Sequence, residues 1–121
     1  MPVSVHIIED DAAVRDATRE LVAGAGRRVF AYDSPAAFFA APAPQPRDIV
    51  VLDIHFPFES GVEAALRIQR DFPGIRIIVV SGIRAGPYER ALSAMAPAAS
   101  FRKPIDGAAF AACVDRLVAA T

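Results

Sequence analysis

Ile49-Val50-Val51-Leu52-Asp53-Ile54-His55-Phe56-Pro57 is the stretch that decides the fold, because four consecutive apolar residues end in one aspartate. A short, β-branched apolar run followed by a proline predicts a strand that is buried on both faces, as in parallel sheets. Asp53 then stands at the carboxyl end of that strand, where open parallel sheets form their ligand crevice. A carboxylate there either caps the following loop or takes part in chemistry, and this stretch alone leaves both interpretations open.

Length and composition indicate one domain with a hydrophobic core. The chain has 121 residues, 54% of them hydrophobic and 22% charged, so it is not disordered, and its apolar runs are too short to span a bilayer. The net charge of −1 gives no electrostatic reason to expect direct binding of nucleic acid. Cys113, the single cysteine, excludes an internal disulfide and fits a reducing cytoplasm. We expect residues 1–121 to form one cytoplasmic domain without membrane association.

Strand-like and helical patterns alternate five times along the chain. Strands are predicted at Ser4 to Ile8, Arg28 to Tyr32, Asp48 to Asp53, Arg76 to Ser81 and Ala99 to Arg102. Helices are predicted at Ala12 to Ala25, Pro35 to Ala41, Ser60 or Gly61 to Asp71, Gly86-Pro87 to Pro97, and Gly107 to Ala120. This alternation predicts an α/β fold, a doubly wound, five-stranded parallel sheet with helices on both faces.

Apolar residues at helical spacing predict which helix faces point inward. The inward residues are Val14, Ala17, Leu21, Val22 and Ala25 in the first helix, Val62, Ala65, Leu66 and Gln69 in the third, and Phe110, Cys113, Val114, Leu117 and Val118 in the last. Cys113 is therefore predicted to be a core residue. His6 is predicted to be packed and hydrogen-bonded within its strand, and Asp11 to cap the first helix. Arg15, Arg19 and Glu20 are predicted to form a solvated helix face.

Polar residues stand at or directly after the carboxyl ends of the predicted strands: Glu9, Asp10, Asp53, Ser81 and Lys103. Because those ends share one edge of a parallel sheet, we expect the side chains to lie together. Three crowded carboxylates repel one another, and a hard cation such as Mg²⁺ removes the conflict while leaving room for a phosphoryl oxygen. The ammonium of Lys103, the only lysine, and the hydroxyl of Ser81 complete a site for phosphoryl transfer, in which Asp53 is the natural nucleophile.

An ordered set of motifs resembles response-regulator receiver domains. The motifs are Ile7-Ile8-Glu9-Asp10-Asp11, Val51-Leu52-Asp53 with Pro57 and Gly61, Val80-Ser81-Gly82, and Arg102-Lys103-Pro104. The resemblance covers essentially the whole chain, and the opening Val5-His6-Ile7 is most similar to FixJ-like regulators. It implies a flavodoxin-like fold of strand order 2-1-3-4-5, as in chemotaxis regulators, and a role as a switch in two-component signalling.

The resemblance also implies what the acidic residues do. Asp53 would accept a phosphoryl group from a sensor histidine kinase or a histidine phosphotransfer protein. Asp10, Asp53 and the backbone carbonyl of His55 would hold Mg²⁺ directly, and Glu9 would act through water.

The remaining motif residues would contact the phosphoryl group or control its lifetime. By the same resemblance, Ser81 and Lys103 would contact the phosphoryl oxygens, and the peptide bond before Pro104 would be cis. His55 and Ile83 would flank the path of the hydrolytic water, and we expect them to slow the loss of the phosphoryl group by blocking and shielding that path.

The sequence departs from the family at a few positions. Phe56 stands where methionine is commonest, and Ile105 stands where phenylalanine is common. Ser100 lies three residues before Lys103, where many receivers carry an aromatic that moves with the switch hydroxyl. Phe101 should point to the other side of its strand, so we expect no rotating aromatic here.

Other function classes share part of this chemistry. A phosphatase of the haloacid-dehalogenase type needs a second acid two residues after its nucleophile, where this chain has His55. A flavin-binding module on the same fold would have its phosphate repelled by Glu9-Asp10-Asp11. A degenerate receiver that only binds other proteins is a further alternative. We expect no enzymatic activity beyond self-phosphorylation and dephosphorylation, while the downstream target, a fused output domain and a homodimer formed on phosphorylation stay open.

Overall fold

The computed structural model describes residues 3–24, 27–54, 61–82 and 95–120. The strands in these ranges are β1 (Val5–Ile8), β2 (Val29–Tyr32), β3 (Ile49–Asp53), β4 (Arg76–Ser81) and β5 (Ala99–Arg102). The helices are α1 (Ala12–Val22), α2 (Pro35–Ala40), α3 (Gly61–Asp71) and α4 (Gly107–Ala119). His55, Phe56, Pro57, Ile83 and most of the helix predicted from Gly86-Pro87 lie outside the described residues.

The strands form one parallel sheet of order β2-β1-β3-β4-β5, which confirms the predicted fold. The chain enters at the inner strand β1, moves outward to β2 and returns to the other side of β1 with β3. The strand order therefore reverses between β1 and β3, and their carboxyl ends flank the crevice where such sheets bind ligands. All of Ile49–Asp53 is buried, as predicted for a strand covered on both faces.

Alternate residues of the strands point into two hydrophobic layers. Phe110, Cys113 and Val114 of α4 and Val22 of α1 pack in one layer, and Phe38 and Ile68 of α2 and α3 pack in the other. Cys113 is a buried free thiol, as predicted. Within the part of the chain that the structure describes, no helix has the length and apolarity needed to cross a membrane.

The predicted inward face of α1 is partly wrong. Thr18 and Val22 are buried, whereas Ala17 and Leu21 are exposed. Thr18 can be buried because its hydroxyl donates to the Val14 carbonyl at 2.8 Å, which satisfies its hydrogen bonding inside the helix. The helix also ends at Val22, before the predicted end, where the Arg27 side chain donates to the Val22 carbonyl.

The predicted inward face of α3 needs a similar correction. Leu66 is 42% exposed, and the buried residues are Gly61, Ala64, Ala65 and Ile68. Small side chains let the helix lie close to the sheet, so the buried stripe runs through glycine and alanine rather than through the leucine.

Asp48 fixes the amino ends of the central strands. Its carboxylate accepts hydrogen bonds from the backbone nitrogens of Ser4 and Gln45, both at 3.0 Å, and lies 2.9 Å from Nε2 of His6. The His6 ring also stacks on Phe30, with 5.3 Å between ring centroids. His6 is therefore a packed and hydrogen-bonded strand residue, as predicted.

The close approach of Gly61 to Ile54 predicts a stability defect. A Cβ atom at Gly61 would lie 2.2 Å from Ile54 Cα and 2.3 Å from the Ile54 carbonyl oxygen. Because both neighbours are backbone atoms, Gly61→Ala should lower the free energy of unfolding by about 1–3 kcal/mol. Gly82→Ala is the matched control, since none of the residues that the structure describes has an atom within 4 Å of a Cβ there. Urea unfolding measures both, and equal stabilities of the two variants would contradict this account.

Candidate functional site

Residues that follow different strands meet at the carboxyl edge of the sheet. Glu9 and Asp10 follow β1, Asp53 ends β3, Ser81 ends β4 and Lys103 follows β5. Glu9, Asp53 and Ser81 are buried, Asp10 is exposed, and the Lys103 side chain is 31% exposed. The predicted set therefore lies on one edge, with Asp10 on its solvent side.

Three carboxylates are crowded at this edge. Glu9, Asp10 and Asp53 each offer an oxygen within 4.8 Å of the others. Burial, a hydrogen bond with Asp53 and the charge of Asp53 together raise the pKa of Glu9 from 4.5 to about 7. Near neutral pH, Glu9 is thus protonated to a much larger extent than an ordinary glutamate.

Lys103 is the cation of the site. Its Nζ lies 2.8 Å from Asp53 Oδ2 and 3.4 Å from Glu9 Oε2. Burial disfavours the charged form, but hydrogen bonds and the charges of Asp53 and Glu9 outweigh it, so the pKa of Lys103 is raised. The Lys103 backbone nitrogen donates to the Ser81 carbonyl at 2.9 Å, and the Lys103-Pro104 peptide bond is cis.

The turn from β1 into α1 is held by several hydrogen bonds. The Glu9 nitrogen donates to the Tyr32 carbonyl at 3.0 Å, and the Asp11 nitrogen donates to Glu9 Oε1 at 3.2 Å. Asp11 caps α1, as predicted, because its carboxylate accepts from the nitrogens of Ala13 and Val14. Nη1 of Arg15 donates to the Glu9 carbonyl at 2.9 Å.

Arg15 is the residue of this region that the sequence interpretation missed. It was predicted to be solvated, yet it is half-buried and reaches back to the strand end. One signal could have found it, because a basic residue near the start of a helix is opposed by the helix dipole. Arg15 stands there without a compensating acid in the first turn of α1.

The aromatic next to the edge is arranged as the sequence predicts. Ser100 is exposed on β5, and Phe101 points to the opposite side, where its ring lies 5.2 Å from the Phe110 ring. His55 and Ile83 lie outside the described residues, so their roles stay predictions.

The chemistry of the cluster suits a hard divalent cation. Mg²⁺ prefers a few carboxylate oxygens together with water, and here buried acids lie beside the exposed Asp10. Burial of Glu9 and the adjacent Asp53 raise the pKa of Glu9 even though the charge of Lys103 lowers it. Glu9, Asp10 and Asp53 are therefore the residues that could hold such an ion.

A family model and two curated proteins are similar to this chain in sequence. The profile of the response regulator receiver domain matches residues 5–115. The chain is 34% identical over 116 residues to the transcriptional regulatory protein FixJ of Azorhizobium caulinodans, covering 94% of this chain and 55% of FixJ. It is 26% identical over 95 residues to a protein-glutamate methylesterase/protein-glutamine glutaminase of Hahella chejuensis, covering 77% and 27%. The chain thus spans about half of FixJ and less of the second relative.

Known structures share the fold. The response regulator DrrB of Thermotoga maritima matches with a TM-score of 0.85 and 21% identity, over 98% of this chain and 53% of DrrB. A CheY-like receiver domain protein of Methanospirillum hungatei matches with a TM-score of 0.85 and 18% identity, over 98% and 94%. At these identities the likeness establishes the architecture alone.

The raised pKa of Glu9 predicts that the stability of the protein depends on pH in the absence of divalent cations. The folded protein keeps the Glu9 proton up to a pKa of about 7, whereas the unfolded chain releases it near 4.5. The stabilisation from this proton is therefore complete below pH 4.5 and is lost as the pH rises through 7. The free energy of unfolding should fall over that range in the wild type, and Glu9→Gln should flatten the fall.

Urea unfolding in the presence of a chelator, repeated across this pH range, measures the effect. Asp71→Asn is a suitable control, because a hydrogen bond from Arg70 holds the pKa of Asp71 below its ordinary value and so outside the range. The Asp71→Asn profile should run parallel to the wild type. A Glu9→Gln profile that also runs parallel to the wild type would refute the assignment.

Proposed function

Since this chain belongs to the response regulator receiver domain family of two-component signalling, we propose that Asp53 is its phosphoacceptor. The donor is a sensor histidine kinase or a histidine phosphotransfer protein. The observation that carries the proposal is the position of Lys103 Nζ, 2.8 Å from Asp53 Oδ2 and within an acidic cluster. A buried carboxylate with an ammonium at this distance is a nucleophile with a partner for the incoming phosphoryl charge.

The proposed reaction uses residues that the fold already brings together. A carboxylate oxygen of Asp53 forms a bond to phosphorus, and the phosphorus–nitrogen bond of the donor phosphohistidine breaks. The electron pair of that bond stays on the imidazole nitrogen, which takes up a proton from water as the imidazole leaves. Lys103 then pairs with a phosphoryl oxygen, and the Ser81 hydroxyl contacts another. Since Ser81 ends the buried strand β4, this contact is how the phosphoryl group would bias the conformation of the domain.

We propose Mg²⁺ as the cofactor, held by Asp10, Asp53 and the backbone carbonyl of His55, with Glu9 acting through water. A divalent cation at such a site neutralises charge on the transferring phosphoryl group. Two observations support this site. The carboxylate oxygens of the cluster lie within 4.8 Å of one another, and Glu9 holds a proton that a cation could replace.

An open groove beside Lys103 supports docking of the donor. Side chains of α1 and of the segment after β5 line a cavity of about 620 Å³: Ala13, Val14, Ala17, Thr18, Leu21, Lys103, Pro104 and Ile105. This is where the apolar residues that α1 does not bury are exposed. A helix of the phosphodonor could cover them while its histidine approaches Asp53.

We propose the remaining properties of the domain from its membership of the receiver domain family. Residues 1–121 form one cytoplasmic receiver domain that catalyses only its own phosphorylation and dephosphorylation, and His55 and Ile83 slow the latter. Its target is a fused output domain or another protein, or it signals through a homodimer, and its net charge of −1 gives no electrostatic reason to expect direct binding of nucleic acid.

The phosphoacceptor can be tested with a small donor. With Mg²⁺ and acetyl phosphate, the wild type should gain a single phosphoryl group in its intact mass, and Asp53→Asn should gain none because the nucleophile is lost. Asp11→Asn is the matched control, since asparagine caps a helix as well as aspartate and this variant should still be labelled. Labelling that persists in Asp53→Asn, or that ignores a chelator, would exclude Asp53 as the acceptor.

Replacing Asp10 and replacing Lys103 should have different effects on Mg²⁺ binding and on the response to phosphorylation. Asp10→Ala should weaken Mg²⁺ binding at least about tenfold and slow phosphorylation together, because a direct ligand is lost. Lys103→Ala should leave Mg²⁺ binding intact or stronger, because a nearby positive charge is removed, but should reduce the Gly82 amide shift on phosphorylation. Titrations followed by amide chemical shifts measure both. Equal Mg²⁺ affinity in the wild type and Asp10→Ala would reject this division of roles.

A further inference from the structure

Arg15 occupies a position that its charge does not explain. Near the start of α1, the helix dipole disfavours a cation, and among the described residues Arg15 forms no ion pair. The one described hydrogen bond of its side chain runs from Nη1 to the Glu9 carbonyl, at 2.9 Å. The side chain is half-buried, so this bond is partly protected from water.

The Glu9 carbonyl belongs to the peptide group that leads into Asp10. Because a peptide group is planar, fixing its oxygen also fixes its nitrogen and the direction in which the Asp10 Cα leaves. Tyr32 holds the Glu9 nitrogen and the Asp11 nitrogen holds the Glu9 carboxylate, and the Arg15 side chain adds a restraint on the Glu9 carbonyl.

Asp10 needs such a restraint more than the other acids do. Glu9 and Asp53 are buried and contact Lys103, whereas Asp10 is exposed. In the described part of the chain, its side chain has no hydrogen-bond or ion-pair partner. Its placement therefore depends on the backbone from which it projects.

We propose that Arg15 is a positioning residue of the acidic cluster, which holds Asp10 in place for the cation through the Glu9 carbonyl. This inference rests on the Mg²⁺ site of the proposed function. Ordering Asp10 before the cation arrives removes part of the entropy that binding would otherwise cost. The groups that hold metal ligands commonly affect metal affinity in this way.

A positioning role and a purely electrostatic role of Arg15 predict opposite changes in Mg²⁺ affinity when Arg15 is replaced. If Arg15 acted only as a positive charge near the cluster, its removal would tighten Mg²⁺ binding. If it positions Asp10, its removal weakens Mg²⁺ binding. Arg15→Gln separates the two accounts without disturbing α1, because glutamine and arginine have similar helix propensities.

The experiment is a Mg²⁺ titration followed by amide chemical shifts. Arg15→Gln should weaken binding about tenfold, the low end of the range for groups that hold metal ligands. Arg19→Gln, which removes the same charge one helical turn further along, should bind like the wild type. In an Asp10→Ala background, Arg15→Gln should cause no further loss, because its effect passes through Asp10. Unchanged or tighter binding by Arg15→Gln, or the same loss without Asp10, would overturn the proposal.

A second measurement needs neither cation nor phosphoryl donor. In metal-free protein, Arg15→Gln should speed hydrogen exchange of the Glu9 and Asp11 amides about tenfold, as expected for the loss of one hydrogen bond. Amides in the middle of α1 should exchange as in the wild type, which shows that the helix is intact. Unchanged exchange at Glu9 and Asp11 would overturn the positioning role even if Asp53 is phosphorylated. If Asp53 proves not to be phosphorylated, the Mg²⁺ titration and the hydrogen exchange still test the role of Arg15, because neither measurement uses the phosphoryl group.

Discussion

The ion pair between Lys103 and Asp53 is the interaction on which the arrangement at this edge depends. Asp53 is 3% exposed, and a buried carboxylate is costly unless a cation and hydrogen bonds accompany it. Lys103 reaches both Asp53 and Glu9, so one ammonium faces several acids. Burial and the neighbouring Asp53 raise the pKa of Glu9 although the charge of Lys103 lowers it, so Glu9 binds a proton more readily than an ordinary glutamate. A second cation would relieve the crowding of the three carboxylates, which supports the proposed site for a metal and a phosphoryl group.

The sheet makes this pairing possible by bringing together segments that are distant in the chain. In a parallel sheet the carboxyl ends lie side by side, and here backbone bonds continue the pairing just past the strands. The Ile54 nitrogen donates to the Val80 carbonyl, and the Lys103 nitrogen donates to the Ser81 carbonyl. At the opposite edge, Asp48 holds the starts of β1 and β3. Hydrogen bonds and packing at both ends of the strands therefore set the distances between the side chains of the site.

The sequence predicts the strands well because doubly buried strands are nearly continuous apolar runs, as in Ile49–Asp53 and Arg76–Ser81. Once the strands are known, the polar residues at their carboxyl ends are expected at one edge of the sheet. The order of the strands was predicted from the family resemblance instead. Helix faces were predicted less well. Leu21 and Leu66 are exposed because helical spacing defines a stripe only to within a residue, and because a helix can pack closely through alanine or bury a threonine such as Thr18. The contact of Arg15 depends on how the chain turns between β1 and α1, which periodicity does not describe.

The exposure of Asp10 gives α1 a second role in the proposed site besides packing. Mg²⁺ gives up its waters reluctantly, so it needs a site that is open on one side, and Asp10 is the acid on that side. A residue on the open side is also the least constrained by packing. Burial therefore cannot order Asp10, which is the acid that the solvated ion would meet first. The start of α1 supplies that order instead, through the Asp11 cap and the Arg15 bond to Glu9. In the proposed site, Asp10 held by its backbone would combine access with preorganisation, whereas the buried Asp53 obtains its order from Lys103 and the sheet.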